Sequence, residues 1–185
     1  MGHGAEMIVG LTGLPRAGKD TFAERLCKVH GYTRLAFADP LKAAAAVLLD
    51  RPEAQMHGAD GFDREAVLPE WGFSTRWFLQ KLGTECMRHQ IGADFWLDRL
   101  RIELTRRNPQ RVVIPDCRFE NEAALVRDLG GIVVEIRRPG TVGSGHVSDR
   151  GIIADTLVGN SGTISDLHRA ADRIAAQYER LHITG

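Results

Sequence analysis

A glycine-rich turn between an apolar run and a helical pattern constrains this chain more than any other feature. Residues 7–11 (MIVGL) predict a buried strand, and residues 21–29 carry apolar side chains at helical spacing. Between them, residues 13–19 (GLPRAGK) match the pattern G-x-x-x-x-G-K. A strand, a tight turn and a helix in this order predict a loop whose backbone amides surround a phosphate group.

This phosphate loop supplies the candidate nucleotide-binding residues. Its glycines permit the turn, and Lys19 offers an ammonium to the β- and γ-phosphates of ATP. The general motif continues with a Ser or Thr whose hydroxyl reaches Mg²⁺, whereas here Asp20 precedes Thr21. Both are therefore candidate metal ligands. The residues predicted to contact ATP are Gly13, Arg16, Ala17, Gly18, Lys19, Asp20 and Thr21. The alternative is a glycine-rich turn that only caps a helix.

A second apolar run ends in an acid. Residues 112–115 (VVIP) predict a strand, and Asp116 follows at its carboxyl end. A carboxylate in that position can hold a magnesium-bound water, so Asp116 is a third candidate metal ligand. Capping of the next turn is the alternative. Arg118 is expected over the same crevice.

Polar residues recur every four positions in a helix predicted over residues 75–90, which Ser74 would cap. Steps of four place them on one slowly drifting face, which we call the polar stripe. Two arginines and two neutral hydrogen-bonding groups suit a phosphate and a base, while a solvated helix face is the alternative. The stripe consists of Arg76, Gln80, Thr84 and Arg88.

Two glycine- and proline-bearing stretches, residues 50–73 and 138–151, are expected to close over bound nucleotides. Arg137 and Arg138 connect a predicted strand over 132–136 to the second stretch. Arginines on a closing loop could neutralise charge on a transferring phosphoryl group. Solvated surface charges are the alternative.

Strands alternate with helices along the chain, which predicts an α/β fold with a mainly parallel sheet flanked by helices in three layers. The length suits a single domain, residues 1–185, with a helical insertion at about 39–106 and a lid-like loop at about 138–151.

The bulk composition narrows the partners. Lys+Arg and Asp+Glu both number 24, and this neutral balance argues against long nucleic acid as a ligand. The sequence has neither an apolar run of about 20 residues nor a signal-peptide pattern, so no membrane partner and a cytoplasmic location are expected. A homodimer is left open.

Several runs together resemble the deoxynucleoside monophosphate kinases of tailed bacteriophages and their bacterial relatives, in the family's order and across most of the chain. The matching runs are residues 18–21 (GKDT), 37–42 (FADPLK), 79–85 (LQKLGTE) with Arg88, 115–122 (PDCRFENE) and 146–167, which includes 160–163 (NSGT).

The resemblance implies a nucleoside monophosphate kinase-like fold and transfer of the ATP γ-phosphate to a deoxynucleoside 5′-monophosphate, with Mg²⁺. It assigns Arg118 and Arg138, together with Lys19, to the transferring group. It suggests that Arg16, Lys42, Arg76 and Arg88 lie around the monophosphate. The predicted substrate-binding set also includes Asp39 and the two neutral stripe residues, Gln80 and Thr84.

Other activities fit the same residues. A kinase for dephospho-coenzyme A or phosphomevalonate also needs arginines for a phosphorylated acceptor. A binding protein could hold a nucleotide without phosphoryl transfer. A polynucleotide 5′-end kinase is disfavoured by the neutral net charge.

Overall fold

The computed structural model describes residues 7–142 and 152–183. Their secondary structure runs in chain order as β1 (Met7–Thr12), α1 (Lys19–His30), β2 (Thr33–Arg34), α2 (Asp39–Leu48), α3 (Glu53–Met56), a 3₁₀ turn (Ala59–Gly61), β3 (Val67–Leu68), β4 (Phe73–Ser74), α4 (Thr75–Gln80), a π-helical segment (Lys81–Ile91), α5 (Phe95–Arg107), β5 (Arg111–Ile114), α6 (Glu120–Asp128), β6 (Ile132–Arg137), β7 (Thr156–Gly159) and α7 (Ile164–Ile183).

The main sheet has five strands in the order β2-β5-β1-β6-β7, all parallel. This confirms the predicted fold class. Strand β1 is central, and each of its residues is buried. Gly10 pairs with Ile114 of β5, and Leu11 pairs with Val134 of β6. Because parallel strands end at the same edge, the loop after β1 lies between the ends of β5 and β6, where ligands of open α/β sheets bind.

The chain divides into two compact units. The first, residues 1–36 and 100–185, contains the main sheet, and its core packs α1 and α7 against β1 and β6. Arg25 of α1 donates two hydrogen bonds of 2.9 Å to the Asp172 carboxylate of α7, and the His30 Nε2 lies 2.8 Å from the same carboxylate. These partners lower the pKa of Asp172 to about 2. The Asp172 carboxylate that joins α7 to α1 is therefore ionised at neutral pH.

The second unit, residues 37–99, has its own small core. Ala45 of α2 and Leu49, which caps the end of that helix, pack with Met56 and Leu68, and all four are buried. The glycines, prolines and charges of residues 50–73 predict an irregular stretch, but the structure there is more regular. These residues form α3, the 3₁₀ turn and an antiparallel hairpin in which Leu68 pairs with Phe73.

Two other elements differ from prediction. Residues 32–38 (YTRLAFA) also predict a strand from their apolar content, but the strand is limited to Thr33–Arg34, although Leu35 N still donates to Val113 O at 3.1 Å. The strand stops because Pro40, in the first turn of α2, favours the start of a helix. The helix expected over residues 75–90 begins as predicted, since Ser74 Oγ accepts from Trp77 N, but it changes from α to π geometry at Lys81. Among the described residues, none of the helices has the length and apolar character to cross a bilayer.

Candidate functional site

The phosphate loop has the backbone that its glycines predict. Gly13 and Gly18 have φ values of 131° and 106°, and Arg16 adopts φ 63°. Ala17 is fully buried beneath the loop, and its N–H donates to Leu14 O at 3.2 Å. Such positive φ angles turn successive amides toward one side of the chain.

The amides at the start of α1 are open to a ligand. The first helical hydrogen bond runs from Phe22 N to Gly18 O at 3.0 Å. Within the described parts of the chain, the backbone N–H groups of Gly18, Asp20 and Thr21 donate to no protein acceptor. They carry the partial positive charge of the helix N-terminus, and Gly18 supplies no capping side chain. An anion such as a phosphate group would satisfy them.

Lys19 is folded over the loop that precedes it. Its Nζ donates to Gly13 O at 2.7 Å and to Leu14 O at 2.8 Å. These contacts hold the ammonium against the turn that leads into the open amides. A phosphate bound there would meet a fixed cation as well as the helix terminus.

The loop is packed tightly on both sides. A Cβ at Gly13 would lie 2.3 Å from the Ile136 carbonyl oxygen of β6, and a Cβ at Gly18 would lie 2.6 Å from the Asn160 side-chain nitrogen. Asn160 also donates to Ala17 O at 2.9 Å. In the sequence, Asn160 lies in a run that resembles the family, and no role was predicted for it. No local pattern signals this contact.

Asp116 lies where the apolar run predicted it. It follows β5, and the next residue, Cys117, donates its N–H to Leu11 O of β1 at 3.0 Å. Asp116 therefore stands beside the phosphate loop and is half-buried. The Cys117 thiol is buried among apolar groups, and this burial raises its pKa well above the usual value. The thiol therefore stays protonated, and Asp116 is the group in this turn that can face a cation.

The described residues contain no cluster of three or more acidic, histidine or cysteine side chains suited to a metal. Mg²⁺ does not require such a cluster. It usually binds through one or two protein oxygens and completes its shell with water and substrate phosphates. Asp20 is exposed, while Thr21 and Asp116 are half-buried. Such a sparse donor set fits a magnesium ion that arrives with a nucleotide.

The predicted phosphoryl-contacting arginines lie after the two strands that flank β1. Arg118 is exposed, and its backbone N–H donates to the buried Glu122 carboxylate at 2.7 Å. Glu122, which the sequence analysis placed in a matching run without a role, thus fixes the turn that carries Arg118.

Arg138 is exposed just beyond β6. Its carbonyl oxygen accepts from Thr141 Oγ1 at 2.8 Å across Pro139-Gly140, where Gly140 has φ 76°. This pattern is typical of a type II turn. Of the lid-like loop predicted over residues 138–151, residues 143–151 lie outside the described part of the structure.

The polar stripe lies in the second unit, and none of its four members is fully exposed to solvent. Thr84 is buried at 9% exposure, and the other three members are half-buried, whereas Trp77, Glu85, Cys86, His89 and Gln90 are exposed. In an α-helix a step of four overshoots one turn, whereas in a π-helix, with its i→i+5 hydrogen bonds, the same step falls short of a turn. The change of geometry at Lys81 therefore reverses the drift and keeps the stripe together.

The stripe arginines and α2 have defined partners in the second unit. The Arg76 side chain pairs with Glu65, and Arg88 donates to Ala93 O at 3.1 Å. Helix α2 approaches the π-helical segment so closely that a Cβ at Gly83 would lie 2.6 Å from Leu41 Cδ2.

Two more predicted substrate residues lie on α2. Lys42 Nζ lies 3.2 Å from His57 Nδ1, and Asp39 is half-buried in the first turn. Asp39 and Lys42 therefore lie on the helix that packs against Gly83, the neighbour of Thr84. The roles predicted for these residues stay predictions.

Comparison with known proteins now identifies the family. A model described as Deoxynucleotide monophosphate kinase matches residues 54–170, more than half of the chain. The chain belongs to the deoxynucleotide monophosphate kinase family. The match confirms the resemblance derived from the sequence. It contains the polar stripe, Asp116 and Asn160 but begins after the phosphate loop, so the loop is assigned here by its own geometry.

Two relatives carry the family name. A deoxynucleotide monophosphate kinase of Acanthamoeba polyphaga mimivirus is 33% identical over 146 residues, which cover 72% of this chain and 75% of that protein. The deoxynucleoside-5′-monophosphate kinase of Escherichia phage T5 is 34% identical over 89 residues, 44% of this chain and 36% of that protein. Among solved structures, TT1252 from Thermus thermophilus shares the fold of this kinase at a TM-score of 0.52 and 21% identity, covering 94% of this chain and 98% of that one.

Proposed function

We propose that this kinase transfers the γ-phosphate of ATP to a deoxynucleoside 5′-monophosphate and releases ADP and the diphosphate. The observation that carries the donor assignment is the set of open amides at Gly18, Asp20 and Thr21 beside Lys19. The acceptor assignment is supported by the family and by the arginines of the polar stripe.

The reaction needs positioning and charge neutralisation more than proton transfer. A phosphate oxygen of the monophosphate, largely ionised at neutral pH, attacks the γ-phosphorus. The bond from that phosphorus to the bridging oxygen of the β-phosphate breaks, and ADP keeps the electron pair. No side chain has to act as a general base, so the lack of an assigned base is consistent with this chemistry.

The residues of the first unit would divide the work as follows. The phosphate loop holds the donor, and Lys19 neutralises charge that builds up on the transferring group. Arg118 and Arg138 extend from turns at the ends of β5 and β6 and would contact the same group. Mg²⁺, held through Asp20, Thr21 or Asp116, would draw negative charge from the phosphates when bound.

The second unit would hold the acceptor. Arg76 and Arg88 can bind a phosphate, and Gln80 and Thr84 can bind the edge of a base. Lys42, Asp39 and Arg16 complete the proposed acceptor contacts. The half-buried setting of the stripe supports this assignment, because a solvated face would have left these side chains exposed.

Small nucleotides, rather than long nucleic acid, are the proposed ligands, and the neutral net charge supports this choice. A cytoplasmic location remains an expectation drawn from the sequence, and a homodimer stays open.

A competition assay tests the proposed reaction. Deoxynucleoside monophosphates, dephospho-coenzyme A, phosphomevalonate and DNA 5′-hydroxyl ends are mixed at equal concentrations with ATP and Mg²⁺, and the products are separated. We expect at least one deoxynucleoside monophosphate to be used with a kcat/KM about 10-fold or more above every other class, since a site that pairs its buried polar groups with one acceptor rejects others. Preference for a coenzyme A precursor or a phosphomevalonate would make the acceptor assignment wrong.

Replacing the stripe arginines should separate the two substrates. We expect Arg88→Ala and Arg76→Ala each to raise the KM for the monophosphate about 10-fold or more, because a charge-assisted contact to phosphate is lost. The KM for ATP should stay within about 2-fold of the wild-type value. Arg106→Ala, which removes an exposed arginine paired with Glu103 in α5, is the matched control. Equal losses for both substrates would instead indicate a structural role.

A further inference from the structure

We propose that Asn160 is a positioning residue, whose side-chain amide orients the Ala17–Gly18 peptide so that the Gly18 N–H faces the bound phosphate. The proposal rests on the phosphate loop being the ATP site. Asn160 is the first residue after β7 and lies 143 positions from Ala17 in the sequence.

The Ala17–Gly18 peptide bond is planar, so the direction of its carbonyl fixes the direction of its N–H. Asn160 Nδ2 donates to Ala17 O at 2.9 Å. In a trans peptide, the carbonyl of one residue and the N–H of the next point in opposite directions within one plane. Holding the Ala17 oxygen toward Asn160 therefore aims the Gly18 N–H away from Asn160. That N–H has no protein acceptor among the described residues, so its direction is set from the carbonyl side.

Asn160 is itself held by the sheet. Its backbone N–H donates to Arg137 O at 2.8 Å, which continues the pairing of β7 with β6. Gly13 lies against Ile136, the residue before Arg137. The end of β6 thus supports the phosphate loop directly at Gly13 and through Asn160 at Ala17. A side chain fixed to a strand end places its donor more reproducibly than one on a free loop.

The identity of residue 18 fits the same arrangement. A Cβ at Gly18 would approach Asn160 Nδ2 to 2.6 Å and Leu167 Cδ2 to 3.0 Å. Gly18 is therefore required twice, first by its φ of 106° and then by the close approach of Asn160. The pair forms a single unit, in which the asparagine occupies the space that a side chain at position 18 would need.

The side chain of Asn160 is not needed to cap helix α7. The start of α7 is capped by Thr163, whose N–H and Oγ1 both donate to the Asp166 carboxylate at 2.8 and 2.7 Å. Asp166 N donates back to Thr163 Oγ1 at 3.2 Å. The helix end is satisfied without Asn160, so the side chain of Asn160 serves the phosphate loop.

The test compares ATP binding in variants that keep or remove the donor. Asn160→Asp preserves the shape but cannot donate to Ala17 O, and Asn160→Ala removes the side chain without adding charge. Ser161→Ala, at the exposed neighbouring position, is the control. We expect both Asn160 variants to raise the Kd and the KM for ATP about 10-fold, which is the loss of one well-placed hydrogen bond. The KM for the monophosphate should stay within about 2-fold of that of the wild type.

The amide proton of Gly18 gives a readout that a merely structural role would not move. In wild-type protein we expect its NMR signal to shift strongly when ATP binds, and in Asn160→Ala that shift should be much smaller even at saturating ATP. A parallel rise in both KM values, or an unchanged Gly18 shift in a folded Asn160→Ala protein, would overturn the proposal.

The Asn160 and Lys19 variants together distinguish a wrong role for Asn160 from a wrong assignment of the ATP site. Wild-type ATP affinity in both Asn160 variants, together with lost turnover in Lys19→Ala, would reject the role of Asn160 and leave the ATP site in place. Wild-type behaviour of the Asn160 and Lys19 variants alike would reject the ATP site, and the role of Asn160 with it.

Discussion

Lys19→Ala is expected to lower kcat by about 10²- to 10³-fold or more while the fold survives. The Lys19 ammonium lies over the phosphate loop, where it donates to Gly13 O and Leu14 O. Its proposed contact with the transferring phosphoryl group would strengthen as charge builds up there, and the loss of one such preorganised donor costs about 3–4 kcal/mol of transition-state stabilisation in comparable sites.

The measurement is steady-state turnover with ATP, Mg²⁺ and the preferred monophosphate, accompanied by circular dichroism and thermal unfolding. Lys28→Ala is the matched control, because Lys28 lies on the same helix but is exposed and pairs with Glu24. The control should retain near wild-type turnover. Wild-type turnover in Lys19→Ala with an unchanged spectrum would make the phosphate-loop assignment wrong.

Gly13→Ala is expected to destabilise the protein by about 3 kcal/mol or more and to abolish ATP binding. The residue adopts φ 131°, which L side chains rarely adopt, and its new Cβ would lie 2.3 Å from Ile136 O. That oxygen belongs to the backbone of β6, which is paired on both sides in the sheet and cannot yield cheaply. Backbone strain of about 1–3 kcal/mol and a steric clash therefore add at one position.

Gly31→Ala separates strain from the clash. Gly31 follows α1 with φ 69°, and nothing lies within 4 Å of where its Cβ would stand. Only the cost of a positive φ applies there, about 1 kcal/mol. Urea unfolding of both variants should be followed by circular dichroism. Tryptophan fluorescence would report on the second unit, because Trp71, Trp77 and Trp96 all lie there, whereas Gly13 and Gly31 lie in the first. Equal destabilisation of the two variants would show that the approach to β6 contributes nothing.

Local patterns were sufficient for much of the fold. The apolar runs ending at Leu11 and Pro115 predicted β1 and β5, and the alternation of strands and helices predicted the parallel sheet. These predictions held because a strand buried on both faces is apolar throughout, so its burial is legible in a few consecutive residues. The glycine pattern located the phosphate loop for a similar reason, since positive φ angles at Gly13 and Gly18 depend on residue type.

Local patterns misjudged residues 50–73. Their glycines, prolines and charges indicated an irregular stretch, yet Met56 and Leu68 are buried in the core of the second unit. Short elements with one buried side chain each leave no period in the sequence, and their stability comes from the apolar cluster they join. The change to π geometry at Lys81 could not be predicted from the sequence either, because no residue type specifies it.

The sequence by itself determined the strands and the glycine-rich loop of the proposed site, and it predicted the candidate chemistry: a loop for phosphate, an acid after β5, and arginines at helical spacing. Each of these features depends on neighbours within a turn or a strand. Only the tertiary structure decided how that chemistry is held. Asn160 reaches Ala17 across 143 positions, and Gly13 lies against β6. Glu122, buried in α6, fixes the turn of Arg118. The long-range contacts arise when the sheet brings distant strand ends to one edge, and the buried carboxylate is fixed by the packing of α6, so spacing along the chain could not reveal either.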